Sequence, residues 1–293
     1  MEELIVAVYC CVDDLLKNIL KEHPPRQRGF APSLTDAEVI TMEIVGEFQG
    51  IDPDKGIWEY FKHHWLDLFP QLKTRTTFTR QAANLWMYKQ ESQKRLAWKL
   101  GGFSDPIHLI DGIPIPLCCI TRATRSSNFS AESDYSYCAA KDSYYYGFRG
   151  HLVINSSGVI TGFTVTTGKG SEREALWEIV SGIEGILIGD KGYISEELKA
   201  QLANVGINLQ TALRKNMHDK RSPSLVNFLM RIRRLIETVI GQLTERFNIE
   251  KVWARDTWHL TNRFNRKILA HTVCLWLNRH SHDPLQFERL LSQ

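Results

Sequence analysis

The chain predicts an α/β fold, a mixed sheet flanked by helices and preceded by an all-helical region, and three observations carry that prediction. Residues 1 to about 100 place their apolar side chains at helical spacing. After Gly101-Gly102 the pattern changes to short β-rich runs set off by turn residues. The elements that follow run strand, strand, strand, helix, strand, helix, strand, long helix, the order of a mixed sheet with helices packed on it.

The helical region opens with Leu4, Val6, Val8, Leu15, Leu16, Ile19 and Leu20. A connector with Pro24, Pro25, Gly29 and Pro32 breaks that helix. Thr35-Asp36-Ala37-Glu38 then forms a capping box, in which the threonine side chain and the glutamate three residues on satisfy each other's backbone donors, ahead of Val39, Ile40, Ile44 and Val45. A third segment, Gly56 to Phe69, is rich in aromatic residues, and a fourth starts near Thr76 or Thr77 and continues through Phe78, Ala82, Leu85, Trp86 and Leu96. Lys73, Arg75 and Arg80 cluster at its start. This basic helix start has two readings: a helix-turn-helix that presents it to a DNA groove, or a packing subdomain with scattered surface charge.

In the second region Pro106 to Ile110 reads as a buried strand stopped by Pro114 and Pro116, with Asp111 at its end. Tyr144 to Ile154 and Val159 to Val165, joined by Ser156-Ser157-Gly158, form a hairpin pattern. Glu172 to Ile183 has helical spacing, Ile186-Leu187-Ile188 is a strand with Asp190 just after it, Ser195 to Val205 is a helix, and Ile207 to Leu213 is a further strand. One amphipathic helix runs from Ser222 to Phe247 with Glu237 at the edge of its apolar stripe. This is the ribonuclease H order. The domain boundaries expected are 1–100 for the helical region, 101–250 for the sheet domain, and 251–293 for a C-terminal helical segment packing on the core.

Composition excludes several classes. With 293 residues, 43% of them apolar and 24% charged, the chain has the profile of a globular protein and not of a fibrous or low-complexity one. The longest uncharged stretch, His151 to Gly168, is interrupted by Asn, Ser, Thr and Gly and falls short of a membrane span. The N-terminus has no basic leader, so an intracellular chain is expected. The six cysteines, at 10, 11, 118, 119, 138 and 274, suit neither a disulfide framework nor a metal knuckle and are expected to be reduced core residues. His63-His64 and His280-Ser281-His282 lack partners at zinc spacing. Residues 205–293 carry 15 Lys and Arg against 7 Asp and Glu, whereas the first 204 carry 21 against 26. That asymmetry points to a polyanionic partner at the C-terminal third, or to a solvated basic helix face.

Asp111 and Asp190 at strand ends and Glu237 on the long helix fall where such a fold can gather them. Carboxylates are hard oxygen ligands for Mg²⁺ or Mn²⁺, and two such ions about 4 Å apart activate an attacking oxygen and stabilise the leaving one in an in-line phosphoryl displacement.

These residues bring the chain to a family it resembles, the DDE transposases of bacterial insertion sequences, and most closely their IS982 group, within the IS4/IS5-like superfamily. The carriers are Ser33 to Glu38, Leu109-Ile110-Asp111-Gly112, Tyr146 to Val153, Gly189-Asp190-Lys191-Gly192-Tyr193 and Arg233-Arg234-Leu235-Ile236-Glu237. The resemblance implies that Asp111, Asp190 and Glu237 are the metal-binding catalytic triad of a ribonuclease H-like core. It further implies Mg²⁺ or Mn²⁺ as a pair of ions, cleavage of transposon ends, and transfer of the 3′-OH to target DNA. The partners implied are terminal inverted repeats and target DNA, with a homodimer when ends are paired, in a cytoplasmic, nucleoid-associated setting. Two alternatives stay open: a ribonuclease H-like nuclease without strand transfer, and a non-catalytic DNA-binding protein derived from a transposase. Of the helix signature common in related transposases, Arg233 and Glu237 match, while Met230 and Thr244 replace a tyrosine and a lysine. Arg246 and Lys251 are then candidates to hold DNA beside Glu237.

Around the triad, Arg233 lies one turn before Glu237 and either contacts phosphate or pairs with the glutamate. Lys191 either holds a phosphate or is solvated, and Lys141 and Arg149 are further DNA-binding candidates on or before the hairpin. His151 is either a proton donor or phosphate contact, or a satisfied strand histidine. The tail from Leu260 to Leu277 sets Phe264, Ile268, Leu269 and Val273 against Arg263, Arg266 and Lys267 and is expected to close the core as an amphipathic helix.

Overall fold

Thr35 caps helix α2 (Asp36–Phe48) as its sequence requires, its side chain accepting from Glu38 N while the Glu38 carboxylate takes the Thr35 N–H at 2.6 Å. The computed structural model describes residues 1–24, 31–125, 128–138, 142–170, 172–213 and 217–291, without the side chains of 172, 173, 289 and 291. It contains a helical unit, residues 1–96, 243–249 and 253–293, and a sheet unit, residues 97–242 and 250–252. No helix among the described residues is long and apolar enough to cross a membrane.

In the helical unit α2 lies against α1 (Glu2–Glu22), α3 (Asp54–His64), α4 (Arg75–Asn84) and α9 (Thr257–Asn278). The segment expected to run on from Thr76 through Leu96 breaks at Leu85, so that α4 gives way to α5 (Trp86–Lys99). The C-terminal helix belongs to the helical unit, where it packs on α2, α4 and α1. Its charged side is buried too, Arg263, Arg266 and Lys267 being 5%, 0% and 1% exposed.

The reason is a matched set of buried charges. Arg266 meets Glu47 at 2.6 Å and Asp54 at 2.7 Å, and Lys267 meets Glu47 at 3.0 Å and Asp52 at 2.5 Å. Arg263 meets Asp52 at 2.6 Å, and Lys89 of α5 pairs with Glu43 and donates to Asn262. Four cations face four carboxylates, so the group is neutral and each charge lost to water finds a partner. Burial pushes the Lys89 and Lys267 ammonium groups down from the usual lysine range. Burial also opposes the Arg266 charge, but Glu47, Asp54, Glu43 and Asp52 together push its pKa up.

The sheet unit contains β1 (Ile107–Cys119), β2 (Asp134–Cys138), β3 (Ser143–Asn155), β4 (Ile160–Thr167), β5 (Gly185–Gly189) and β6 (Ile207–Thr211). Their order is β2-β3-β1-β5-β6, with β4 also on β3. β1, β3 and β4 are successively antiparallel, while β5 and β6 run parallel to β1, the ribonuclease H-like arrangement the sequence predicts. One edge of β3 carries β2 at residues 143–147 and β4 from Phe148 onward. Helix α6 (Glu172–Ile179) lies on β3 and β4, α7 (Glu196–Ala203) on β6, and α8 (Pro223–Gly241) on β1.

β1 does not stop at its prolines. It continues past Pro114 and Pro116, paired with Arg149 and Gly147, as far as Cys119. β5 covers only Ile107–Leu109 on the opposite edge, so beyond Leu109 that edge is open. A proline whose missing N–H faces an open edge leaves no ladder bond unmade. β2 has no counterpart among the expected elements, its five residues Asp134-Tyr-Ser-Tyr-Cys138 being too short to signal a strand. Helix α8 ends at Gly241 and a single π-type turn, Gln242–Arg246, takes the chain to Phe247. The cysteines form no disulfide, but only Cys274 is buried; Cys10 and Cys119 are exposed, against the expectation of core residues.

Replacing Arg266 with alanine leaves Glu43, Glu47 and Asp54 with an uncompensated buried charge. A loss of about 3–5 kcal/mol in unfolding free energy is expected, read as a lower urea midpoint; a midpoint equal to wild type would show the network to be energetically silent. Acid acts on both units through a histidine. His151 is fully buried, its Nε2 2.9 Å from Thr166 Oγ1, and burial with the nearby Arg149 charge lowers its pKa to about 4. Burial lowers that of His271 to about 3. The unfolded chain takes up protons below about pH 6.5 and the folded chain does not, so stability is complete above about 6.5 and drains as pH falls toward 4, by about 1.4 kcal/mol per unit for each histidine. Denaturation at pH 7 and pH 4.5 should show a smaller acid loss in His151→Gln than in wild type.

Candidate active site

The three parallel pairs between β1 and β5 place the two aspartates. Leu109 lies opposite Ile188, and Asp111 and Asp190 each come two residues later on their strands. Side chains two apart share a face, and Asp190 is still extended at φ −80°, ψ −174°, so both carboxylates leave the same face at the same end of adjacent strands. Asp111 therefore sits at the end of the parallel pairing although β1 itself goes on.

Each aspartate is held by its own backbone. Gly112 N donates to Asp111 Oδ1 at 2.8 Å, and Gly192 N donates to Asp190 Oδ1 at 2.7 Å, closing the short turn Lys191–Tyr193. Gly189 is what lets that turn fold back. A methyl group in its place would lie 3.0 Å from the Tyr193 ring and 3.3 Å from the Ile110 side chain. Burial pushes the Asp111 carboxyl up from the usual carboxylate range. The Gly112 hydrogen bond and the Arg233 charge oppose that rise, and the Asp190 charge adds to it.

Arg233 reaches across from α8, its Nη2 3.4 Å from Asp111 Oδ2. Of the two readings of its sequence position, pairing with Glu237 is not the contact formed. At 3.4 Å and partly exposed, the Arg233–Asp111 contact is loose enough to exchange for another anion. Glu237 is exposed on α8 one turn beyond Arg233. Among the described residues no three of His, Cys, Asp and Glu are placed so that they could hold a metal ion. The geometry thus brings together Asp111, Asp190 and Arg233, and leaves Glu237 on the adjoining helix. As a donor set the two aspartates suit a hard divalent cation: both are anionic oxygen ligands, and the charge of one already raises the pKa of the other.

A pocket of about 400 Å³ opens beside them, lined by Gly189, Lys191, Arg233 and the apolar side chains of Leu213, Leu229 and Met230. Arg221 builds its far wall. Its guanidinium holds both oxygens of Asp219, at 2.9 and 2.7 Å, and donates to Gln210 Oε1 and the Thr211 carbonyl, each at 3.0 Å. This tie joins the loop before α8 to the end of β6, and Arg221 lowers the Asp219 pKa to about 2. Only the short spacing Asp219-Lys220-Arg221 hinted at the clamp in the sequence.

The remaining basic candidates are dispersed. Arg149 lies on β3, donating to Ser136 Oγ at 3.2 Å, and its Cδ would be 3.7 Å from a methyl group on Gly112, next to Asp111. Lys251 is exposed in the sheet unit. Arg246 belongs to the helical unit, where it donates to the Phe48 carbonyl at 2.8 Å. Lys73, Arg75 and Arg80 are exposed in the helical unit, and Lys141 lies outside the described residues. His151 is buried in the sheet, its Nε2 bonded to Thr166 Oγ1 and its Nδ1 without a hydrogen-bond partner among the described residues.

A family model described as the transposase DDE domain matches residues 101–257, more than half of the chain and the whole stretch from β1 through α8. No curated protein and no solved structure matches the chain.

Gly189→Ala tests the turn that carries Asp190. The added methyl must displace Tyr193 or Ile110, so a loss of about 1–3 kcal/mol is expected from denaturant titration. Stability equal to wild type would mean that the turn relaxes without cost.

Proposed function

The chain belongs to the transposase DDE-domain family, and from that membership and the two aspartates just past the end of the β1–β5 pairing we propose that it cuts the ends of an insertion sequence and transfers the freed 3′-OH to target DNA. The observation that carries the reading is the matched placement of Asp111 and Asp190, two residues beyond the Leu109–Ile188 pair. Within the family, the motifs from Ser33 to Glu38 and around Asp190 place it nearest the IS982 group in this proposal.

Asp111 and Asp190 would hold the divalent cation, with Glu237 supplied from α8 as the third carboxylate. When bound, a pair of Mg²⁺ or Mn²⁺ ions would supply Lewis acidity for activating water and neutralising charge on phosphate. The chain's own residues do the rest. Arg233 exchanges its loose contact with Asp111 for a phosphate oxygen of the scissile strand, and Lys191, exposed in the turn after Asp190, holds a neighbouring phosphate. Arg149 lies over Gly112 and positions the strand from the β3 side. Lys141, Lys251, Arg246, Lys73, Arg75 and Arg80 complete the proposed DNA-binding set, and paired ends call for a homodimer during reaction.

Incubating the protein with Mg²⁺ and a labelled duplex spanning the element's end, then resolving products on a denaturing gel, tests the reading. Cleavage at the boundary and joined products are expected from wild type, and at least about 10³-fold less of both from Asp111→Asn, Asp190→Asn and Glu237→Gln. Full cleavage by Asp190→Asn would overturn the site, and cleavage without joined product would make the protein a nuclease. Arg233→Ala should weaken DNA binding on all sequences and lower the salt dependence by about one phosphate contact.

A further inference from the structure

The helical unit contains a pocket of about 750 Å³ at which three helices begin. Asp54 and Lys55 lie in the first turn of α3, Arg75 and Thr76 in that of α4, and Trp258 and His259 in that of α9, so three helix N-termini border one space, with Thr74 and Asp256 capping one N–H each of α4 and α9. Two tryptophans border it with much of their surface in solvent, Trp253 64% and Trp258 49% exposed. Trp258 meets Trp86 edge to face, with centroids 5.8 Å apart.

Lys55 and Arg263 of the lining are paired, with Glu59 and with Asp52, while among the described residues three further arginines are not. Arg75, Arg80 and Arg255 line it and have no ion pair among the described residues. Arg263 at its base is 5% exposed, and its Nε has no hydrogen-bond partner among the described residues. The carboxylate lining it, Asp54, is engaged by Arg266 at 2.7 Å and by Arg263 at 3.7 Å, so it does not cancel the arginines at the rim. Open indole faces beside arginines and helix N-termini suit a ligand that carries both phosphates and flat rings.

We propose that this pocket is a second DNA site that binds an unpaired stretch of strand, with bases stacked on Trp253 and Trp258 and phosphates held by Arg75, Arg80 and Arg255. It rests on the reading that the protein acts on DNA, and it adds a site that needs neither Asp111 nor Asp190. Bases inside a duplex already stack on their neighbours and cannot cover an indole, so the pocket selects frayed or single-stranded DNA over blunt duplex.

The test is fluorescence anisotropy of a labelled dT12 strand with the full chain in EDTA, beside a blunt duplex of the same length and unlabelled ATP as competitor. Trp253→Ala, at a side chain largely in solvent, should weaken dT12 binding about 5- to 100-fold. Trp253→Phe should restore most of the loss, and Arg75→Ala with Arg80→Ala should lower the salt dependence while leaving thermal unfolding unchanged. Equal dT12 affinity in Trp253→Ala, Trp258→Ala and wild type would overturn the proposal. So would tighter binding of the duplex, or displacement of dT12 by ATP at equal phosphate concentration. Because no cleavage is needed, Trp253-dependent binding by a protein that never cuts DNA would fail the catalytic reading alone, and cutting without Trp253-dependent binding would fail this one alone.

Discussion

The double register of β1 is the constraint from which the site follows. Along one edge β1 pairs with β3 from His108 to Cys119, and along the other it pairs with β5 over three residues only. The long antiparallel ladder holds the strand rigid, and the short parallel one decides where β5 departs. Since side chains alternate with a period of two, a slip of one residue between β1 and β5 would send Asp111 and Asp190 to opposite faces. Apolar contacts lock the register: Leu109, Ile110, Leu187 and Ile188 are 3% exposed or less.

The candidate site lies where the β1–β5 ladder ends. Past Leu109 and Ile188 the two strands no longer bond each other, and although Ile113 and Ile115 of β1 stay buried, Asp111 and Asp190 stand there with backbone bonds of their own. Gly112 and Gly192 supply those bonds from either side, and the close turn at Gly189 keeps Asp190 near the strand end. Arg233 brings the one positive charge seen against the pair among the described residues, from a helix that packs on β1. The Asp190 charge adds to the rise of the Asp111 pKa and the Arg233 charge opposes it, so the three groups are electrostatically linked.

The helical unit solves a different problem with charge. Its central helix α2 carries Glu43 and Glu47 in an otherwise apolar face, and both are buried. They are tolerable because α9 brings Arg266 and Lys267 from more than two hundred residues away in sequence. The pairing ties the two ends of the chain into one core, and a purely apolar contact would not specify so narrowly which helix packs there.

The sequence by itself determined the class of fold, the capped start of α2, the β3–β4 hairpin and the place of Asp190 just after β5, because each is written in local spacing: capping boxes, alternation, a Ser-Ser-Gly turn; Asp111, read as a strand end, lies within β1. Glu237 and the divalent metal were also reached from residue chemistry and element order, and the family resemblance added the transposon-end substrate. Tertiary structure alone decided what depends on distant partners. β1 runs through Pro114 and Pro116 because β5 has already left that edge, which local proline rules do not reveal. Arg263, Arg266 and Lys267 read as a solvent face, since helical periodicity counts charge as exposed and cannot see Glu43, Glu47, Asp52 and Asp54 waiting across the core. Arg233 turns to Asp111 and not to Glu237 because the sheet offers it a carboxylate across 122 residues of chain, a contact set by where α8 lies on β1 and by no spacing within α8 itself.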